Sequence, residues 1–136
     1  MDDRRPGARH LGSRVKIFFD GGLRPLPAGM ETAVVIAGQS FVARGLGAGT
    51  SMTAEWLALI DAARRAAALG LGGAVLLGDA AAVVAQANGR VRCPVAHAAH
   101  LADFLALRHA TRPLRVRYIK RSQNLAGIAL AAAHAR

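Results

Sequence analysis

The run Ala74-Val75-Leu76-Leu77-Gly78, followed at once by Asp79, offers no polar position on either face. Such a run reads as a fully buried parallel strand, which needs helices over both of its faces. An α/β layer with a mixed sheet follows. A second β-rich run, Val15-Lys16-Ile17-Phe18-Phe19-Asp20, also closes on an aspartate and is expected to end at Asp20, before Gly21-Gly22. Thr32 to Ala37 and Ser40 to Arg44, separated by Gly38-Gln39, predict a hairpin, so three antiparallel strands come first.

Met52, Trp56, Ile60, Ala63 and Ala67 recur at helical spacing and predict a helix from Met52 to Leu69. A shorter helix, from Ala80 to Ala87, stops at Asn88-Gly89, and a third is expected from Val95 to Ala110 with Leu101, Phe104, Leu105 and Arg108 along one side. Leu114 to Arg121 alternates, placing Leu114, Val116 and Tyr118 on one face of a strand and Arg115, Arg117 and Arg121 on the other. Ser122-Gln123-Asn124 supplies N-cap candidates for a final alanine-rich helix ending near Ala135.

The chain has 136 residues, 53% of them hydrophobic and 19% charged, enough for one domain with its own core. Residues 1–13 mix arginine, proline and glycine without periodicity and read as a mobile basic arm, leaving 14–136 as the domain. The single cysteine, Cys93, excludes an intramolecular disulfide and a four-cysteine zinc site. No apolar stretch is long enough to span a bilayer, and the charged N-terminus lacks the central region of a secretory signal, so a cytoplasmic location is expected. Eighteen Lys and Arg oppose eight Asp and Glu, giving a net charge of +10. Most of the cations are arginines, whose planar forks match phosphate, so nucleic acid is the expected partner. No membrane contact or obligatory protein partner is evident.

With acidic residues so scarce, their placement is informative. Asp20 and Asp79 each end a strand, and Glu55 is expected in the first turn of the first long helix. If those two strands are parallel neighbours, both aspartates emerge at the sheet edge where open α/β sheets bind ligands, and the helix adds Glu55. Three clustered carboxylates repel one another unless a hard cation neutralises them, and Mg²⁺ or Mn²⁺ prefers such oxygen ligands. Asp20, Glu55 and Asp79 are therefore candidate metal ligands and catalytic groups for phosphoryl transfer. Each residue alone has an ordinary explanation, as a turn cap or a partner of the helix dipole.

Four local sequences, in order, resemble the ribonuclease H family. They are Phe18-Phe19-Asp20-Gly21-Gly22; Thr50-Ser51-Met52-Thr53-Ala54-Glu55; Asp79 through Val83-Val84, Gln86 and Asn88-Gly89; and Arg121-Ser122-Gln123-Asn124 with Leu130-Ala131. The resemblance covers about residues 14–133. It implies a ribonuclease H-like sheet, Mg²⁺-dependent cleavage of the RNA strand of RNA/DNA hybrids, and metal ligation by Asp20, Glu55 and Asp79. It also implies that backbone near Gly21 and Gly22 approaches an RNA strand; Ser51, Lys120, Arg121 and Asn124 are further candidate nucleic-acid contacts, although alternation on a half-exposed strand places Lys120 and Arg121 equally well without function. Three departures stand out. Ile128 occupies the position of the family's fourth carboxylate, Ser51 and Met52 replace its paired asparagines, and no histidine-bearing loop fits between Arg121 and Asn124. The first departure keeps open a module that binds nucleic acid without cleaving it. A small-nucleotide-binding α/β protein is a third, weaker alternative.

Other residues carry weaker signals. Cys93, His97 and His100 have spacing compatible with a transition metal, but no fourth ligand is evident. The glycine-rich segment 45–50 reads as a connection from the hairpin into the helix rather than a phosphate loop. Trp56 and Phe104 are expected in the core.

Overall fold

A computed structural model describes residues 15–110 and 112–134. The expected basic arm lies outside the described residues. Strands β1 (Lys16–Leu23), β2 (Met30–Ile36) and β3 (Gln39–Ala43) precede helix α1 (Ser51–Ala68) and strand β4 (Val75–Gly78). Helix α2 (Ala81–Ala87), helix α3 (Ala98–Arg108), strand β5 (Arg115–Tyr118) and helix α4 (Leu125–Ala132) complete the order. One sheet runs β3-β2-β1-β4-β5, with β1, β2 and β3 antiparallel and β4 and β5 parallel to β1. This is the mixed five-stranded sheet expected from the sequence.

The principal core lies on one face of the sheet. Ile17, Phe19, Val34, Leu76 and Val116 meet Trp56, Leu59 and Ala63 of α1 and Phe104 of α3 there, all buried. The opposite face is thinner. Ala33 and Val35 pack against Ala126 and Leu130 of α4, whose small residues let it lie close to the sheet. Trp56 and Phe104 are core residues, as expected, and the Trp56 indole donates to Gln86 Oε1 at 3.2 Å.

Several boundaries differ from the sequence reading. β1 does not stop at Asp20; it continues to Leu23 because β2 pairs with it through Gly21, Gly22 and Leu23. The glycine pair, read as a break, instead stays in the antiparallel ladder, Gly21 opposite Thr32 and Gly22 opposite Glu31. The β2–β3 turn sits one residue earlier, at Ala37-Gly38, both with positive φ (50° and 81°), as a tight hairpin requires. Val95–His97 forms a separate 3₁₀ turn ahead of α3, and Leu105 is exposed rather than packed. β5 ends at Tyr118, which is 54% exposed, and residues Arg121–Gln123 form another 3₁₀ turn.

Arg108, at the end of α3, ties this half of the molecule together. Its Nε donates to Leu114 O (2.8 Å), Nη1 to Ala87 O (3.2 Å) and Nη2 to Asn88 Oδ1 (3.2 Å), while Asn88 Nδ2 donates to Val116 O at 2.9 Å. Arg108→Ala leaves these acceptors without their donor, so urea unfolding should show a loss of about 2–4 kcal/mol. A loss below about 0.5 kcal/mol would contradict the bracing role.

Candidate active site

Parallel pairing between β1 and β4 runs from Lys16↔Val75 to Phe18↔Leu77. Two residues further in the same register stand Asp20 and Asp79, so the two carboxylates leave the sheet side by side where the strands separate. Glu55 comes from α1. Thr50 caps that helix, its Oγ1 accepting from Thr53 N at 3.0 Å, which places Glu55 at the start of the second turn rather than in the first.

Gly21 is what allows the helix and strand to meet. A Cβ at this position would fall inside the van der Waals envelope of the Ala54 carbonyl and the Glu55 amide. With hydrogen there instead, Gly21 N donates to Glu55 Oε1 at 2.9 Å. Carboxylate oxygens of Asp20, Glu55 and Asp79 consequently all lie within 4.8 Å of one another, the only such cluster of potential metal ligands among the described residues.

Asn124 fixes the third member. It is fully buried, and its Nδ2 donates to Asp79 Oδ2 and to Phe19 O, both at 3.0 Å, while its Oδ1 caps α4 by accepting from Ala126 N at 3.1 Å. The contact with nucleic acid expected of Asn124 does not fit this placement, because its amide is committed inside the protein. It is a positioning residue that locks β1, Asp79 and α4 together.

These carboxylates line an open cavity of about 480 Å³, together with Gly22, Arg24, Glu31, Arg121 and Ile128. A Cβ at Gly127 would just touch Asp20 Oδ2, and Ile128, next in the chain, is 56% exposed at the rim. Of the other sequence candidates, Lys120, Arg121 and Ser51 are exposed, Ser51 at the first position of α1. The Gly21 N–H is occupied by Glu55, whereas Gly22 brings bare backbone to the cavity wall. His97 is buried with its Nε2 on Thr53 Oγ1 at 2.8 Å, so it serves the packing of α1 rather than a cluster with Cys93. Glu31 and Arg24 had no signal in the sequence reading; only the pairing of Glu31 opposite Gly22 brings them to the cavity.

The electrostatics fit a cation site. Burial, and then repulsion from Asp79, push the Asp20 carboxyl up to about 6 against the pull of Arg121. Burial, and then repulsion from Asp20, push Glu55 up to about 8, even though the Gly21 N–H favours its charged form. Three oxygen donors on partly buried side chains, two of them reluctant to ionise beside one another, match the needs of a hard divalent ion.

Residues 33–134 match the family model described as reverse transcriptase-like, a span that includes Glu55 and Asp79 and begins after Asp20. Among solved structures, the chain is similar to ribonuclease H1 from the halophilic archaeon Halobacterium salinarum NRC-1, with 23% identity, a TM-score of 0.76 and coverage of 89% of this chain and 98% of that one. It is similar to the N-terminal ribonuclease H domain of Rv2228c from Mycobacterium tuberculosis, with 25% identity, a TM-score of 0.71 and the same coverage. A third is LC11-RNase H1, solved in complex with an RNA/DNA hybrid, with 21% identity, a TM-score of 0.73 and coverage of 90% and 100%. No curated protein matches the sequence.

Two measurements test the site. In the metal-free protein Asp20 and Glu55 hold protons more tightly when folded than when unfolded. The resulting stabilisation is present below about pH 4 and is lost as the pH rises to about 8. Melting temperature should fall over that window, and a divalent cation at pH 7 should raise it; a flat profile unaffected by the cation would contradict the geometry. Gly21→Ala should cost roughly 1–3 kcal/mol and abolish the cation's effect, since α1 must back away from β1. Motif order, fold and family match agree: the chain belongs to the reverse transcriptase-like family and carries the ribonuclease H fold.

Proposed function

We propose that this protein is a divalent-metal-dependent endonuclease that cleaves the RNA strand of RNA/DNA hybrids, with Asp20, Glu55 and Asp79 as its metal ligands. The observation that carries this reading is the convergence of those three carboxylates within 4.8 Å at one end of a ribonuclease H fold. The hybrid bound by LC11-RNase H1 indicates the substrate class.

Mg²⁺ or Mn²⁺ held there would activate water and stabilise the leaving oxygen of a phosphodiester. The chain's own residues prepare the place. Asp20 lies between the other two acids in the strand register and the helix contact. The Gly21 N–H holds one Glu55 oxygen, leaving the other to a ligand, and the Asn124 amide holds Asp79 in the same way. Arg121 and Lys120, both exposed at the end of β5, supply positive charge for the phosphate backbone, and the Ser51 hydroxyl is available to a ribose or phosphate. The excess of ten positive charges favours polyanion binding overall.

A second reading, a module that binds hybrids without cleaving them, is favoured by one observation: an aliphatic side chain, Ile128, stands at the rim where the family carries a fourth carboxylate. Incubation with a labelled hybrid separates the two. Cleavage that needs Mg²⁺ or Mn²⁺ and disappears in Asp20→Asn establishes the nuclease, whereas salt-sensitive binding without cleavage establishes the module. Ile128→Asp should tighten metal binding or increase cleavage; a variant indistinguishable from wild type would contradict the assignment of this position.

A further inference from the structure

The wall of the cavity formed by β1 and β2 contains a chain of polar side chains that the metal site does not use. Glu31, on β2, has a side chain only 5% exposed, and both of its oxygens are taken. Oε2 accepts from Arg24 Nε at 3.3 Å, and Oε1 lies 2.7 Å from His134 Nε2, just beyond the C-terminus of α4. His134 Nδ1 is in turn 3.3 Å from Arg44 Nη2, and Arg44 Nη1 donates to Ala133 O at 3.3 Å. Since an arginine can only donate, His134 Nδ1 accepts from Arg44 and its Nε2–H donates to Glu31. The order Arg44, His134, Glu31, Arg24 thus runs from the end of edge strand β3 to the cavity.

A carboxylate this deeply buried is costly unless paired and hydrogen-bonded, and here the arrangement meets that cost while orienting Arg24. Arg24 lies just past the end of β1, its side chain 42% exposed. Glu31 holds the guanidinium by Nε, leaving Nη1 and Nη2 for another acceptor, and Arg24 lines the cavity that also contains the three acids. A guanidinium anchored at one edge by a buried carboxylate and open at the other is suited to a phosphate group, which accepts two parallel hydrogen bonds. With His134 neutral, the two arginines outweigh Glu31 by one positive charge.

We propose that Arg24 is a substrate-positioning residue that grips a backbone phosphate of the nucleic-acid strand entering the cavity, and that Glu31 and His134 hold it ready. This rests on the reading of the protein as a nucleic-acid enzyme and adds a second cavity-lining arginine to Arg121. Neither Arg24 nor Glu31 is assigned a part in metal binding.

Fluorescence anisotropy of a labelled RNA/DNA hybrid, measured without divalent cation over a series of salt concentrations, tests the proposal. Arg24→Ala should weaken binding about tenfold and make the slope of log K against log salt shallower by about one phosphate contact. Arg24→Lys, which keeps the charge, should recover most of the slope. Glu31→Gln should weaken binding in the same direction, and combining it with Arg24→Ala should add little. Arg24→Ala takes one of the two partners from the buried Glu31 carboxylate and should lower the melting temperature, so binding is measured well below it, and Arg24→Lys, which keeps a cation there, leaves the proposal testable even if Glu31→Gln is unstable. Wild-type binding that is unchanged in affinity and slope by Arg24→Ala overturns this inference alone. Failure of the wild type to bind the hybrid overturns it together with the proposed function.

Discussion

Helix α1 meets strand β1 at Gly21, and the arrangement of the acids around the cavity follows from that contact. A backbone N–H of the strand bonds directly to a side chain of the helix, with only a glycine hydrogen between the two backbones. The contact sets the height of Glu55 above the sheet. The register between β1 and β4 sets Asp20 beside Asp79, and Asn124 ties both strands to α4. Three carboxylates that would separate in solution are therefore held together by backbone geometry, and their mutual repulsion is offset by packing elsewhere. Burial of Trp56, Phe19 and Leu59 beneath the same helix supplies a large apolar contribution to that offset.

The local acid cluster contrasts with the charge of the whole chain. In the proposed reading a cation drawn to the acids and a polyanion drawn to the surrounding arginines would share one cavity without conflict, because the metal would neutralise the first set and present positive charge to the second. Arg121 and Arg24 both line the cavity, and in the proposed reading they face the phosphates rather than the ion. Ile128 introduces an apolar surface into this ring, and its neighbour Gly127 leaves Asp20 room that a larger residue would fill.

Much of this was legible before any coordinates. The apolar run into Asp79, the β-rich run into Asp20 and the helical spacing around Trp56 yielded the sheet and the three acids, since burial imposes a recognisable pattern on strands and helices alike. The N-cap role of Asn124 is legible in the sequence and holds, whereas only the fold reveals that the same amide also reaches Phe19 and Asp79 across the sheet. The end of β1 was misplaced because Gly21-Gly22 resembles a turn, whereas the glycine answers to a close approach from a distant helix. Glu31 and His134 were not legible at all. They are about a hundred residues apart, neither sits in a motif, and their meeting depends on where α4 ends relative to β2.

The central claim is that Asp20, Glu55 and Asp79 together form one divalent-cation site. Anomalous diffraction from crystals of the protein grown with Mn²⁺ tests it most directly. The account predicts a manganese peak bounded by oxygens of all three carboxylates at ordinary metal–oxygen distances. A map with no peak there, or with manganese bound only at other residues, would contradict it.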